Sequence, residues 1–394
     1  MKSYFTKTII FIIISISVVL PASFHDSITY EKPEEFSGNF DARGNAICLD
    51  EEGNLYITGY NTEKGEGKNI WVQKFKGFDK EAWKRNYSGE NKKDDEGKGI
   101  KTDSEGNVIV AGYETVKGPK KNIWIKKWGA SGNVKWMKSI GVEYKADSMA
   151  NGVSVDVSGN VYAAGFMSNK NNKPEGWLKK FDKDGKDIWQ NIITGGPEDK
   201  SEVKAVAVDA EGKIFICGYS SVKGKSAEAF VQKLGSDGKE IWKTAVLAAP
   251  KKGIAFNAIA LDAKGNIYTA GFQDSPGNGK DALIKKFDKE GRETMEIFYS
   301  GTAKLDDIAN GIYVDGQDNI FVCGYTTGSR TQQDSFMIKY SPAGKDIMTR
   351  VHDSSGKNDA SNAICLDAEG VIYITGFLGV DSTETDLWIK QYTQ

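Results

Sequence analysis

Apolar and polar residues alternate with period two through short runs that return at a fixed interval along the chain. One run reads NAICLD to Asp50, NGVSVD to Asp156, NAIALD to Asp262 and NAICLD again to Asp367. The same aspartate stands at Asp103, Asp209 and Asp315, giving five intervals of 53 residues and one of 52. A period near 50 marks a repeat architecture. A turn of the type Asp-x-x-Gly-Asn leads to a second run, LYITGY, VIVAGY, VYAAGF, IFICGY, IYTAGF, IFVCGY and IYITGF. Both runs are rich in β-branched and aromatic residues and predict strands. A third run (IWVQKF, IWIKKW, GWLKKF, AFVQKL, ALIKKF, FMIKY, LWIKQY) passes through a polar turn such as DKDGKD into a fourth. Trp83, Trp136, Trp189, Trp242, Met295 and Met348 mark that fourth run. No stretch within the repeats carries the i, i+3, i+4, i+7 spacing of a helix.

Each unit therefore predicts four antiparallel strands joined by tight turns, with both faces of the sheet apolar. Such sheets must cover one another, either in an open stack or in a closed ring. The seventh unit reaches Gln394 after its third strand, and SITYEKPEEFSG near the N-terminus resembles a fourth strand and its exit. The expected fold is an all-β, seven-bladed β-propeller of four-stranded antiparallel blades over residues 24–394. An N-terminal strand is expected to complete the last blade, with Pro33 tolerated on an outermost edge.

The segments GIAFNAIALDAKGNIYTAGF and DDIANGIYVDGQDNIFVCGY resemble the bacterial beta-propeller repeat family abbreviated SBBP, over about residues 36–394. That resemblance implies an extracytoplasmic seven-bladed propeller and carries no catalytic residues. A weaker resemblance, to PQQ-like propeller repeats, rests on LKKFDKDGKDIW and VQKLGSDGKEIW. The quinone-dependent dehydrogenases of that group carry a vicinal cysteine pair, whereas no two of Cys48, Cys217, Cys323 and Cys365 are adjacent. No PQQ is expected, and no other cofactor.

Lys2 and Lys7 precede an apolar stretch from Ile9 to Leu20 of 12 residues, too short to span a membrane comfortably. Residues 1–23 read as a signal peptide, with an uncleaved anchor as the alternative. A secreted, periplasmic or cell-surface monomer with no membrane span after signal removal is expected. The 52 basic and 54 acidic residues are interspersed and sum to −2, which argues against a nucleic-acid-binding surface. Cys48 and Cys365 hold equivalent positions in blades 1 and 7, but free buried thiols are the expectation for all four cysteines.

Catalytic constellations are sparse. His25 and His352 are the only histidines, too few for a histidine metal centre, and His352 reads as a solvated surface residue. The in-register aspartates fit turns in which the side chain accepts a backbone N–H, rather than a ring of ligands. Asp182, Asp184 and Asp187 partly resemble a calcium loop, making Ca2+ a minor alternative to a plain hairpin. Lys74, Lys127, Lys180, Lys233, Lys286 and Lys339 recur in the third strand and suggest pairing with turn carboxylates. Trp71, Trp124, Trp177 and Trp388 read as packing between blades.

The links from second to third strand are long and variable, and share one face with the blade-to-blade links. Binding usually resides in such loops. The candidate binding residues are Lys64, Lys117, Lys170 and Lys223 in those loops. To these is added a ring where the first strands begin, formed by Asn45, Lys98, Asn151, Lys204, Asn257, Asn310 and Asn362. The ring could bind a ligand or serve only the strand ends, and Asp94, Asp95, Asp147, Asp306, Asp307 and Asp359 add acid to the rim. The expected function is a binding or scaffold module for a protein or cell-surface glycan. The alternative is a lyase or hydrolase with a carboxylate or metal site at the channel mouth.

Overall fold

The structure, a computed structural model, describes residues 26–30 and 41–393 apart from 79, 119, 143–145, 194–198, 222–224, 278, 330–331, 355 and 381–384. The expected signal peptide, Pro33 and Lys223 lie outside the described residues. Seven four-stranded antiparallel sheets account for the chain, and no helix occurs among the described residues. In six of the sheets the strands pair in chain order. In blade 1 these are Ala42–Leu49, Leu55–Thr62, Lys68–Lys76 and Lys80–Tyr87. The first strand of each blade lies against the first strands of both neighbours, around a central axis.

The core is divided into seven apolar clusters, one at each junction between neighbouring blades. This follows from the two apolar faces of every sheet, since each face needs a partner and only a closed ring supplies one for all. The closing junction puts Cys365, Tyr373, Leu387 and Ile389 of blade 7 against Ile57, Trp71 and Phe75 of blade 1. Outside blade 7, the strand Asp26–Tyr30 runs antiparallel to Thr385–Tyr392, with three residue pairs in register and an irregularity between Asp26 and Thr29.

Every first strand is interrupted at one place. The register with the second strand shifts across Asn45, Lys98, Asn151, Lys204, Asn257, Asn310 and Asn362. These are the ring residues anticipated from the sequence, and all seven occupy a bulge. A bulge leaves one residue unpaired and re-aims its side chain. It also presses a carbonyl towards the second strand, where the recurring Gly-Tyr or Gly-Phe begins. A Cβ on Gly59 would collide with the Arg43 carbonyl oxygen, and one on Gly112 with that of Glu96. The residue after each bulge is Gly or Ala, because the inner strands nearly touch: a Cβ on Gly99 would come within 2.9 Å of the Gly152 Cα.

The recurring polar residues are structural, as expected for the aspartates. Asp50 Oδ1 accepts from the backbone N–H groups of Glu52 (3.1 Å) and Asn54 (2.9 Å), while Oδ2 accepts from the Tyr56 hydroxyl at 2.9 Å. Asp156, Asp262 and Asp367 repeat the pattern. Three of the third-strand lysines approach these carboxylates, with Lys127 Nζ 2.8 Å from Asp103, Lys74 Nζ 3.7 Å from Asp50 and Lys180 Nζ 3.9 Å from Asp156. Burial opposes ionisation of Asp103, but Lys127 and Asn107 outweigh it and hold the carboxyl below the usual range.

A second set of contacts ties blade to blade at the rim. The indole N–H of Trp83 donates to the Ala130 carbonyl at 3.0 Å, Trp136 to Lys183 at 3.1 Å, Trp189 to Ser236 at 3.2 Å and Trp242 to Lys289 at 3.1 Å. Each indole thus holds the outer hairpin turn of the following blade. Trp71, Trp124, Trp177 and Trp388 are fully buried between blades, in agreement with the sequence. All four cysteines are free and buried.

Candidate functional site

The long second-to-third loops and the blade-to-blade links meet on one face, around the mouth of the central channel. In five blades the bulged residue is Asn, and its amide reaches across the junction. Asn45 Nδ2 donates to Gly97 O at 2.8 Å and to Glu96 Oε1 at 2.9 Å, and Asn151 does the same with Val203 O and Glu202. Asn257, Asn310 and Asn362 make a single bond each, to the carbonyls of Ala309 (3.1 Å), Ser361 (3.1 Å) and Gly44 (2.9 Å). The Asn ring therefore ties neighbouring inner strands together from bulges within the first strands, rather than serving strand ends as the sequence suggested. In blades 2 and 4 the bulged residue is Lys, and it turns to a glutamate on its own strand: Lys98 Nζ to Glu96 and Lys204 Nζ to Glu202, both at 2.8 Å.

The same two blades add a tyrosine, with Tyr113 OH donating to Glu96 Oε2 at 3.1 Å and Tyr219 OH to Glu202 Oε2 at 3.0 Å. Burial works against the Glu96 charge, yet Lys98, Lys68 and Asn45 outweigh it and keep the carboxyl below its ordinary value. Burial, reinforced by Glu96, pushes the Tyr113 hydroxyl up, and burial does the same to Tyr60. These three groups keep their protonation states through neutral pH.

The mouth is not sevenfold symmetric. A cavity of about 460 Å³ spans it, bounded on the side of blades 1 and 2 by Arg43, Lys68, Glu96 and Lys98 and on the side of blades 5 to 7 by Asn257, Asn310 and Asn362. Two residues before the bulge, blade 1 carries Arg43, blades 2 and 4 Glu96 and Glu202, and the others Met149, Ala255, Ile308 and Ala360. The Arg43 guanidinium lies 4.0 Å over the Phe377 ring, and its Nε donates to Thr385 Oγ1 at 3.1 Å. Lys68 Nζ lies 4.0 Å over the Tyr60 ring, and Tyr60 OH donates to Asp41 Oδ2 at 2.7 Å. Both cations are thus seated on aromatic faces.

Lys64, Lys117 and Lys170 are exposed in the loops beyond this mouth. The rim acids divide. Asp95, Asp307 and Asp359 are fully buried staples of the blade links rather than rim charges. Asp95 accepts from the N–H groups of Gly89 (2.5 Å) and Thr115 (2.7 Å), and Asp307 from Gly301 N–H at 2.6 Å. Asp359 accepts from the Ser354 N–H and hydroxyl, both at 2.6 Å. An acidic side chain in the link satisfies backbone donors that burial would orphan. His352 is likewise not a solvated surface residue: it is half-buried and stacks on Trp388, with ring centroids 5.5 Å apart and planes at 13°.

Asp182, Asp184 and Asp187 form a hairpin. Asp182 Oδ1 accepts from the N–H groups of Asp184 (3.0 Å) and Lys186 (2.8 Å), and Asp187 pairs with Lys179 at 2.6 Å. Gly185 has φ of +84° and lies against the Trp136 ring, which fixes both its identity and its place. Among the described residues no three His, Cys, Asp or Glu side chains are placed to hold a metal ion.

Arg43, Tyr60, Lys68, Glu96 and Phe377 escaped sequence reasoning. The only signal was the departure of blades 1, 2 and 4 from the repeat at the position two before the bulge, a difference easily lost among seven similar units.

Residues 300–329 match the family model SBBP, Beta-propeller repeat. With seven four-stranded blades around one axis, the chain is a seven-bladed β-propeller, one segment of which matches that repeat. No curated protein matches it. Among solved structures it is similar to a protein of unknown function from Dyadobacter fermentans, at 9% identity and TM-score 0.52 over 94% of this chain and 99% of that one. It is also similar to a polysaccharide lyase, a PL25 ulvan lyase bound to -[GlcA(1-4)Rha3S]-, at 10% identity and TM-score 0.54 over 90% and 94% of the two chains. At such identities the likeness is one of fold. Among the described residues no helix is long and apolar enough to cross a membrane.

Proposed function

We propose that this propeller is an extracytoplasmic binding module, exported by its N-terminal segment, that takes a protein or cell-surface glycan on its long-loop face. The observation that carries the reading is the division of labour among its polar residues. The aspartates that recur in every blade are committed to turns, and the third-strand lysines of blades 1 to 3 to turn carboxylates or neighbouring blades, while residues that vary between blades gather at the channel mouth. That mouth offers fixed cations, amides and aromatic rings, the inventory of a recognition surface. The titratable Glu96, Tyr60 and Tyr113 there do not change protonation near neutral pH, which favours binding over acid–base chemistry. Similarity to a lyase at 10% identity transfers no reaction.

The test is capture from native cell-envelope and supernatant fractions by the chain from Phe24, beside a variant with Lys64, Lys117, Lys170, Lys98 and Arg43 changed to Gln. Saturable capture lost in the variant is the expected result. Equal capture by both proteins, or none by either, would overturn a long-loop binding face.

A further inference from the structure

The cavity at the channel mouth is chemically polarised, and the polarity fits one kind of ligand. Its blade 1 and 2 wall holds three cations, Arg43, Lys68 and Lys98, against the single carboxylate of Glu96. That carboxylate is already saturated: Oε1 accepts from Asn45 and Lys98, and Oε2 from Tyr113. Arg43 is anchored on Phe377, Lys68 on Tyr60 and Lys98 on Glu96, so little side-chain freedom remains to be lost on capture of an anion. Asp41 lies 3.8 Å from the Arg43 Nε and accepts from the hydroxyl groups of Tyr60 and Thr385, so it offsets part of the Arg43 charge while the three cations still outnumber the two carboxylates.

The wall formed by blades 5 to 7 differs. Asn257, Asn310 and Asn362 each give one amide hydrogen to a neighbouring carbonyl, which leaves a second donor and an acceptor oxygen on every side chain. Asn45 and Asn151, by contrast, each make two bonds to the next blade. Paired donors and acceptors at intervals around a rim suit vicinal hydroxyl groups. A cavity of about 460 Å³ is within the size range of small-molecule sites, roughly 300–1,000 Å³.

We infer that this cavity binds an anionic sugar residue of a glycan, its carboxylate or sulfate held by Arg43, Lys68 and Lys98 and its hydroxyl groups by Asn257, Asn310 and Asn362. The inference rests on the glycan branch of the binding-module reading and names its ligand class. A planar carboxylate or a sulfate face can take two parallel N–H donors from the Arg43 fork, with Lys98 and Lys68 as point charges beside it. Lys204 and Glu202 repeat the blade 2 arrangement on blade 4 but do not line the cavity, so one anion site is expected per chain.

Isothermal titration of the chain from Phe24 with oligogalacturonate, a sulfated galactan oligosaccharide and a neutral galactan oligosaccharide tests the inference. Thermal unfolding of each variant serves as a check on folding. The expected result is one site for a charged oligosaccharide, no binding of the neutral one, and affinity that falls about tenfold or more in Lys98→Gln and in Lys68→Gln. Comparison of the two charged probes tells carboxylate from sulfate. Affinity should also fall steeply as salt rises above about 0.1 M, where exposed charges are screened. Lys239→Gln, on an exposed outer hairpin turn away from the mouth, should leave it unchanged. Binding of the neutral oligosaccharide as well as the charged ones, or affinity untouched in folded Lys68→Gln and Lys98→Gln proteins, would overturn the site. If neither charged probe binds while envelope capture persists, this inference fails and the binding-module reading stands.

Discussion

Position by position, burial decides what a polar residue does in this propeller. Asp95 and Asp94 are neighbours in sequence, yet only Asp95 is enclosed, and its oxygens complete the hydrogen bonds of Gly89 and Thr115. Burial pushes its carboxyl up to about 6, against the pull of those two N–H donors. A folded-state value above the unfolded one means that the folded protein binds more protons between roughly pH 4 and 6. The stability contributed by Asp95 is therefore fully present below its unfolded value and is lost as pH rises through about 6. Asp307 is raised in the same direction by the same cause. Asp103 runs the other way: its lowered carboxyl contributes stability above the ordinary value and loses it as pH falls through the folded one. Comparing the native chain with Asp95→Asn isolates the first effect. The melting temperature of the native chain relative to the variant should decline steadily from pH 4 to pH 7, and a difference that does not change with pH would refute the assignment.

Asp50, Asp156, Asp262 and Asp367 were readable as turn residues from the sequence, because each precedes Gly at a position of positive φ and a turn is a local event. Asp95 was not readable, because a link residue gives no local sign of being enclosed. His352 escaped for the same reason, since its partner Trp388 lies on the next blade.

Among the elements, the outer hairpins show how a repeat can be locally uneven. The indole N–H bonds of Trp83, Trp136, Trp189 and Trp242 link blade 1 to 2, 2 to 3, 3 to 4 and 4 to 5. Blades 5 and 6 carry Met295 and Met348 at that place, and a thioether donates no hydrogen bond. An intramolecular hydrogen bond is worth about 1 kcal/mol net, and repeat assemblies behave as sums of unit and junction terms. Amide exchange should therefore be faster in the outer hairpin of blade 6 than in those of blades 2 to 5. Trp136→Phe should raise exchange at the blade 3 hairpin alone, by about fivefold, the equivalent of about 1 kcal/mol. Uniform exchange around the ring would show that the indole bonds carry no weight. The strands themselves were legible from their period and composition. The bulges were not, although the small residue after each one (Ala46, Gly99, Gly152, Ala205, Ala258, Gly311, Ala363) records how closely the inner strands approach.

At the scale of the whole molecule, the ring is closed by the packing of blade 7 on blade 1. Blade 7 packs on blade 1 through an apolar cluster and through the Asn362 bond to Gly44, and Asp26–Tyr30 pairs with the outer edge of blade 7. The strand pairing is short, and what it contributes is a matter for measurement. Deletion of residues 24–35 should leave the propeller folded, since the cluster is intact, but should expose Thr385–Tyr392 as an unpaired edge. The expected outcome is a lower melting temperature and concentration-dependent association in sedimentation velocity. A deletion protein as stable as the parent and in the same association state would assign ring closure to the side-chain packing alone.

The sequence by itself determined the seven repeats, their four strands, their turns and the two apolar faces of each sheet, because those features depend on neighbours within a few residues and repeat often enough to be recognised. Ring closure was an expectation from those faces. Only the tertiary structure decided the cavity at the channel mouth. Arg43 of blade 1, Glu96 and Lys98 of blade 2, Asn257 and Asn310 of blades 5 and 6, and Phe377 of blade 7 line one cavity although up to 334 positions separate Arg43 from Phe377. Such juxtapositions are set by how the blades pack around the axis, and no local pattern in the chain encodes them.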